Sequence, residues 1–205
     1  MNGMAADLMT LLPEVLLAGG LCAVLVLDLF LRDHQRDFTY LAAVGLIALV
    51  AFSLTGLTGA GGAGGGSASL AFGGAFINDP LARVLKLFAA AAVATVFVYS
   101  RPYLRARGLH QGEFYVLGLF GLLGILVLAS SYSLLVSYLG LELLSLSLYA
   151  MVAFNRDSPA AAEAAMKYFV LGAIASGTLL YGMSLVYGVT GTLDIGELRQ
   201  VVGEA

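Results

Sequence analysis

Apolar residues run through the chain in long stretches that are not interrupted by charge. A helix that spans the hydrocarbon core of a bilayer needs about 20 mostly apolar residues. Residues 116–129 do not alternate in polarity as barrel strands would, and helices satisfy every backbone amide within their own segment. The pattern therefore predicts six transmembrane helices, at residues 11–31, 40–57, 81–100, 114–130, 132–154 and 168–189.

The fourth and fifth predicted spans are separated only by Ser130 and Ser131. Such a short connection forces the two helices to be antiparallel neighbours. The predicted fold class is all-α, a polytopic transmembrane helix bundle of about six spans in which residues 1–205 form a single membrane domain.

Composition supports this fold class and excludes others. Hydrophobic residues make up 60% of the chain and charged residues 11%, against about 45–50% and about 25% in an ordinary soluble domain. The mean hydropathy is +0.94. These values exclude a water-soluble single domain, a disordered chain and a nucleic-acid binder, which would need a basic surface. A single Cys excludes a disulfide scaffold.

The distribution of cationic residues predicts the orientation in the membrane. Residues 1–14 contain Asp7 and Glu14 but no Lys or Arg, so the first span is a permanent helix and not a signal peptide. Positive residues favour the cytoplasmic side. The arginines cluster in the connections that follow spans one, three and five: Arg32, Arg36, Arg101, Arg105, Arg107 and Arg156. The rule therefore places these connections in the cytoplasm and the N-terminus outside.

Residues 59–74 are a low-complexity run of Gly, Ala and Ser. The run contains G-x-G-x-x-G at Gly59, Gly61 and Gly64. A dinucleotide site requires a preceding strand, whereas this run follows a membrane span. A flexible external connection is predicted instead.

Several charged residues lie near the predicted span ends. Asp28 is close to Arg32, which predicts an interfacial ion pair. Glu14, Arg83 and Lys86 are interpreted as boundary residues, the cations with snorkelling stems. The alternative for Arg83 and Lys86 is contact with an internal water path.

Glu142 is the strongest candidate for chemistry because it is the eleventh residue of the predicted span 132–154. At 1.5 Å per residue it lies about 15–18 Å from either end, and a carboxylate at that depth is costly and usually functional. Tyr138, Ser145 and Tyr149 extend a polar stripe along the same helix. A proton-relay or ion-pathway carboxylate is favoured; the alternative is a protonated Glu that only secures packing.

Lys167 is the second candidate, at the predicted start of the sixth span and four residues after Glu163. This spacing predicts a Glu–Lys pair on one helix face, and a snorkelling anchor is the alternative role. A direct ion pair between Lys167 and Glu142 is not expected, because Lys167 is predicted about a dozen ångströms less deep. Small residues further along this span suit close helix contact: Gly172, Ala173, Ser176 and Gly177.

Several strings resemble the subunit N family of bacterial NADH-quinone oxidoreductase, respiratory complex I. They are LLPEVLLAGG, LVLDLF, NDPLARVLKLF, GLELLSLSLYAMVAF and EAAMKYFVLGAIASGTLLYGMSLVYGVTGT. The resemblance implies that Glu142 and Lys167 belong to the proton-translocation machinery. It implies the fold of antiporter-like subunits, with two inverted five-helix repeats.

Family members are more than twice as long as this chain. The resemblance therefore identifies an N-terminal fragment, expected to be inactive alone. Its first repeat begins near residue 114 and is incomplete, and the seventh-helix Lys that pairs with the family's Glu is absent.

The function that the resemblance implies is proton translocation coupled to electron transfer from NADH to quinone. NADH, FMN, iron–sulfur clusters and quinone serve the whole complex, and no cofactor or metal is expected on this chain. The implied partners are the lipid bilayer and other membrane subunits, including the neighbouring antiporter-like subunit, with no nucleic acid. The implied location is the bacterial inner (plasma) membrane. The alternatives are a paralogous cation/proton antiporter or membrane-bound hydrogenase, and a non-catalytic membrane scaffold.

Overall fold

The computed structural model describes residue 8 and residues 10–30, 36–55, 69–109 and 111–203. Within these ranges, six helices are long and apolar enough to cross a membrane, which confirms the predicted fold class. They are α1 (Leu12–Phe30), α2 (Arg36–Leu54), α3 (Pro80–Ala106), α4 (Gly112–Ser130), α5 (Leu134–Val152) and α6 (Pro159–Thr190). A short helix, α7 (Ile195–Gly203), follows them.

Helix α6 begins at Pro159 and not at residue 168, so the predicted start of the sixth span was wrong. The Ser158 hydroxyl caps the helix by accepting from the Ala161 amide, and proline is favoured at the first helical position. The alanines that follow are strong helix formers. The result is a helix of 32 residues, about 48 Å long at 1.5 Å per residue. Helix α3 likewise extends past its predicted end to Ala106.

The end of the glycine-rich run is an ordered hairpin, whereas its composition predicted a flexible connection. Strands β1 (Ser69–Ala71) and β2 (Phe76–Asn78) pair antiparallel, with Leu70 opposite Ile77. The turn between them uses positive φ at Gly73 (66°) and Gly74 (95°), which glycine adopts without strain. Residues 59–68 lie outside the described part of the chain.

The hairpin packs at one end of the bundle, called here the hairpin end. There the Tyr132 amide donates to the Ala75 carbonyl (2.9 Å), which joins the hairpin to the turn between α4 and α5. The same turn contacts the α6–α7 connection, because the Ile195 amide donates to the Tyr132 carbonyl (3.1 Å). Helices α1, α3 and α5 start at this end, and α2, α4 and α6 finish here.

The opposite end, called here the arginine end, carries most of the described arginines: Arg101, Arg105, Arg107 and Arg156. Asp37 at the start of α2 pairs with Arg101 (3.2 Å) and Arg105 at the end of α3. The Arg101 guanidinium also stacks over the Tyr40 ring at 4.5 Å. The arginine distribution behind the orientation prediction is thus preserved in space for these four residues, while Arg32 lies outside the described ranges.

The hydrophobic core lies between α1, α2, α3 and α4. Its largest fully buried side chains are aromatic: Tyr115 packs edge-on against Phe97 (5.2 Å between centroids) and Tyr40 (5.3 Å). Leu17 and Leu21 of α1 complete the centre of this core. Helix α6 contributes no buried residue.

Candidate functional site

Helix α5 is fixed against α4 by two glycines that bring the backbones into contact. A Cβ added at Gly140 would lie 2.9 Å from the Leu128 amide nitrogen, and one added at Gly124 would lie 2.8 Å from the Gly140 carbonyl oxygen. This contact confirms that the fourth and fifth spans are antiparallel neighbours. Glu142, two residues after Gly140, is rotated by about 200° around the helix and points away from α4.

Glu142 faces α6, where it is the end of a hydrogen-bonded chain. The residue is half-buried and is the ninth of the 19 residues of α5, so it lies midway along the span. The Ser176 hydroxyl of α6 donates to Glu142 Oε1. The Tyr138 hydroxyl, one turn before Glu142, lies 2.9 Å from Ser176 Oγ.

The direction of this chain depends on the charge of Glu142, and an ionised Glu142 can only accept. A hydroxyl group has one proton to donate, so a Ser176 that donates to Glu142 must accept from Tyr138. We call the set Tyr138, Ser176 and Glu142 the hydroxyl–carboxylate chain. Tyr138 was predicted from the polar stripe, whereas Ser176 was predicted only as a packing residue. Tyr138 could be predicted because it lies four residues before Glu142 on the same helix. Ser176 could not, because only the pairing of α5 with α6 brings it to Glu142.

The face of α6 that contacts α5 is defined by three contacts. The Tyr149 ring packs edge-on against Tyr168 (4.9 Å between centroids) and Phe169 (5.6 Å). A Cβ at Gly172 would lie 1.8 Å from the Tyr149 hydroxyl oxygen, so a larger residue there would displace the Tyr149 ring. Ser176 follows one turn later, which places it opposite Glu142.

Lys167 is not part of this chain. It is nine residues before Ser176, which corresponds to about 14 Å along α6 and a rotation of about 180°. Its Nζ pairs with Glu163 Oε1 (2.5 Å), which confirms the predicted i, i+4 pair. Both side chains are exposed, at 70% and 67%. Because α6 starts at Pro159, Lys167 is in the third turn of the helix and does not open it.

Glu14 and Lys86 correct the prediction that they are boundary residues. Their side chains are only 7% and 3% exposed, and Lys86 Nζ lies 2.5 Å from Glu14 Oε1. The Ser130 hydroxyl donates to the same oxygen at 3.3 Å. A buried cation with a carboxylate and a hydroxyl partner is an internal ion pair between α1, α3 and α4, not a pair of snorkelling side chains.

The sequence held one signal for this pair. Lys86 shares a helix face with Ala82, Ala89 and Ala90, all of which are buried. Small residues one turn before and after a lysine indicate that another helix approaches closely on that face. The uniform apolarity of α1 hides the equivalent signal for Glu14.

The predicted ion pair of Asp28 with Arg32 stays a prediction, because Arg32 lies outside the described ranges. The Thr39 hydroxyl donates to Asp28 Oδ1 at 2.6 Å. A groove of about 560 Å³ opens beside Asp28 between α1, α4 and α5, with Glu113 and Arg156 on its rim. Its walls are mainly apolar, and Glu142 does not line it.

Within the described ranges, no group of three or more His, Cys, Asp or Glu side chains is placed to hold a metal ion. The site therefore consists of hydroxyl, carboxylate and ammonium groups. Such groups can move protons and hold charge. The expectation that this chain binds no prosthetic group stays a prediction.

The fold and these groups resemble those of antiporter-like membrane subunits. Residues 131–205, which contain the whole of α5 and α6, match the family model described as NADH:quinone oxidoreductase/Mrp antiporter, transmembrane. A chain of respiratory complex I from Thermus thermophilus superposes with a TM-score of 0.73 at 32% identity, covering 90% of this chain and 38% of that chain. An archaeal membrane-bound sulfane sulfur reductase gives a TM-score of 0.72 at 25% identity, covering 95% of this chain and 40% of that one.

The comparison by sequence is more specific than the comparison by structure. NADH-quinone oxidoreductase subunit N of Thioalkalivibrio sulfidiphilus is 54% identical over 193 residues, covering 94% of this chain and 39% of the relative. The same subunit of Thiobacillus denitrificans is 53% identical over 191 residues, covering 93% and 38%. The chain is similar to these subunit N sequences over nearly its whole length, as the motifs indicated. It spans about two-fifths of the length of these relatives.

Proposed function

We propose that the chain is part of a membrane subunit that contributes to proton translocation coupled to electron transfer from NADH to quinone. The relatives at 48–54% identity are named NADH-quinone oxidoreductase subunit N. The observation that carries the proposal is Glu142, a carboxylate midway along a membrane span that accepts from a hydroxyl of the next helix.

The hydroxyl–carboxylate chain gives Glu142 two states that differ by one proton. With Glu142 ionised, Tyr138 donates to Ser176 and Ser176 donates to the carboxylate. When Glu142 takes up a proton it becomes a donor itself, and rotation of the two hydroxyls reverses the chain without moving a heavy atom. Uptake of the proton removes the negative charge of Glu142. In a low-dielectric environment, neighbouring charged groups respond strongly to that change.

Lys167 is proposed as a further member of the pathway, nearer the arginine end. Its exposed position on the face of α6 opposite Ser176 suits a group that exchanges protons with water. It does not suit one that pairs directly with Glu142. The 14 Å separation along α6 requires intervening water or other residues between the two groups.

The proposal extends to location and partners. We place the subunit in the bacterial inner membrane with the hairpin end outside, beside other membrane subunits of the complex, including the neighbouring antiporter-like subunit. The excess of arginine at the opposite end supports this orientation. Cofactors that carry electrons are assigned to other subunits.

Orientation is tested by cysteine labelling in intact cells on a Cys22→Ala background, because Cys22 is itself exposed. Leu70→Cys in the hairpin and Arg107→Cys at the arginine end form the matched pair. A membrane-impermeant maleimide is expected to label position 70 only. Labelling of position 107 only would overturn the orientation.

The function is tested by Glu142→Gln in the complete subunit, assembled with its partners in proteoliposomes. Glutamine keeps the side-chain shape but cannot ionise, so NADH-driven acidification of the lumen should fall while assembly is retained. Glu113→Gln, an exposed carboxylate at the arginine end, is the control. Unchanged transport in the Glu142 variant would favour the non-catalytic scaffold.

A paralogous redox-driven complex is the second candidate. The superposition on the sulfane sulfur reductase chain, at a TM-score of 0.72, supports a shared architecture. The identity of 25% is half that of the subunit N relatives. Purification of the complex distinguishes the two candidates, since only the first oxidises NADH with quinone as acceptor.

A further inference from the structure

The ion pair of Glu14 and Lys86 lies in helices α1 and α3, outside the hydroxyl–carboxylate chain. Both side chains are more than nine-tenths buried. Moving two charges out of water is costly, and replacing such a pair by apolar groups is often neutral or stabilising. Stability alone therefore gives little reason to keep a buried ion pair in the membrane.

The two carboxylate oxygens of Glu14 differ in their hydrogen bonds. Glu14 Oε1 accepts from both Lys86 Nζ and the Ser130 hydroxyl. Glu14 Oε2 is buried and has no hydrogen-bond donor within reach among the described residues. A buried carboxylate oxygen without a donor is costly, and a bound water is the ordinary way to satisfy it.

Lys86 also borders a small cavity at the hairpin end. The cavity volume of about 10 Å³ is close to what one water molecule requires. Its walls combine polar residues from the start of α1, the end of α2, strand β2 and the start of α3: Thr10, Ser53, Asn78 and Arg83. Among the residues that the structure describes, Arg83 is the one other charged residue in this lining. The cavity lies between Lys86 and the element ends that meet at the hairpin end.

We propose that Glu14 and Lys86 form a second proton-exchanging site, opening through this cavity to the hairpin end. The Lys86 ammonium passes one proton to a water molecule in the cavity, which leaves a neutral amine beside the Glu14 carboxylate. The pair then carries one negative charge in place of none, and uptake of one proton from water restores it. The inference rests on the proposed function, because this exchange serves transport only if the subunit translocates protons.

Ser130 links the pair to the helix that carries Glu142. It is the last residue of α4, and the turn from Ser131 leads directly into α5. Loss of the charge of Lys86 strengthens the demand of Glu14 Oε1 for its other donor, the Ser130 hydroxyl, at the point where α4 ends. The site is thus coupled to α5 by covalent connection and by the Gly124–Gly140 backbone contact.

The test uses the complete subunit assembled with its partners in proteoliposomes, with protons counted against NADH oxidised. Glu14→Gln/Lys86→Met removes both charges together and so avoids leaving one of them unpaired. We expect this double variant to assemble and to lose proton transport at least about twofold at a matched rate of NADH oxidation. Glu113→Gln/Arg156→Met is the control, since that pair also has a 2.5 Å contact but is exposed, and it should transport like the parent.

Parent-like transport by the assembled Glu14→Gln/Lys86→Met variant would overturn the proposal and leave a purely structural ion pair. If that variant does not assemble, Glu14→Asp decides, because it keeps the charge and shortens the side chain by one methylene. Infrared difference spectra between resting and energised complex should then show bands of the Glu14–Lys86 site that shift in Glu14→Asp. Identical spectra for parent and variant would also overturn it.

The outcome for Glu142→Gln separates this inference from the proposed function. If Glu142→Gln transports normally, the proposed function fails. If Glu142→Gln loses transport while Glu14→Gln/Lys86→Met keeps it, only the second site fails.

Discussion

The helices α1–α4 and the helices α5 and α6 each hold a carboxylate within the membrane, but in opposite surroundings. In the first region, aromatic and aliphatic side chains close around the bundle, and Glu14 is sealed beside a cation. In the second region, α6 buries no residue and Glu142 has only hydroxyl partners among the described residues. One region therefore neutralises its charge internally, while the other leaves charge compensation to groups beyond this pair of helices.

Apolar residues on the outer face of α6 support this contrast. Leu171, Ile174 and Val189 are all more than half exposed. An apolar surface of this extent needs lipid or protein against it. A substitution that leaves Glu14 or Lys86 unpaired should consequently reduce stability first, whereas substitution of the polar residues of α5 and α6 should reduce transport with little loss of stability.

The largest expected difference is in the stability lost when one of two lysines, Lys86 or Lys167, is replaced. Lys86→Met leaves Glu14 as an uncompensated buried charge and should cost about 3–5 kcal/mol. Lys167→Met breaks only an exposed pair and should cost no more than about 1 kcal/mol. The melting temperature of the detergent-solubilised complete subunit measures both. Equal shifts for the two variants would remove the distinction between the regions.

A smaller difference in stability is expected when one of two glycines, Gly140 or Gly177, is replaced by alanine. Gly140→Ala places a Cβ against the backbone of α4 and should destabilise by about 1–3 kcal/mol. Gly177→Ala meets nothing within 4 Å, and alanine favours a helix by up to about 1 kcal/mol. The same melting experiment should show opposite signs. Destabilisation by Gly177→Ala would mean that this face of α6 is closely packed in the complete subunit.

Ser176→Ala should affect transport more than stability. The variant removes a hydrogen bond to a carboxylate and interrupts the hydroxyl–carboxylate chain. An increase of about 1.4 kcal/mol in the barrier corresponds to roughly tenfold slower proton transport. Thr178→Ala is the matched control, because that hydroxyl donates to the Ile174 carbonyl within α6 (2.8 Å). Similar acidification rates for both variants would exclude Ser176 from the pathway.

The smallest effect is expected for Lys167→Arg. An arginine keeps the charge and the ion pair with Glu163, but it does not release its proton as a relay lysine must. Assembly should be unchanged, and protons counted per NADH should fall by less than in Ser176→Ala. A parent-like proton count would reduce Lys167 to an anchor at the membrane boundary.

The sequence predicted the spans well because length and apolarity alone decide which helices cross a bilayer. It predicted the start of α6 badly, since the Ser158–Pro159 start signal lies in a stretch that is helical but less apolar. It missed the β1–β2 hairpin because strands of three residues gain their stability from the α4–α5 turn, which is distant in sequence.

Only part of the candidate site was predicted, because most of it depends on contacts between helices that are distant in sequence. Glu142 stands out because one carboxylate in an apolar helix is conspicuous without knowledge of the packing. Ser176 and Glu14 become recognisable only when the helix pairings are known, whereas the alanines on the helix face of Lys86 are visible in the sequence. In a chain where nearly every position is apolar, periodicity does not show which face of a helix is buried.

The most direct test of the central claim compares Glu142→Gln with Glu142→Asp in proteoliposomes that contain the complete assembled subunit. The quantity measured is the number of protons transported per NADH oxidised. Aspartate retains an ionisable group on a side chain one methylene shorter, so it should keep part of the transport, whereas glutamine should abolish the contribution of this site. Equal, parent-like proton counts for both variants would contradict the claim that Glu142 carries the translocated charge.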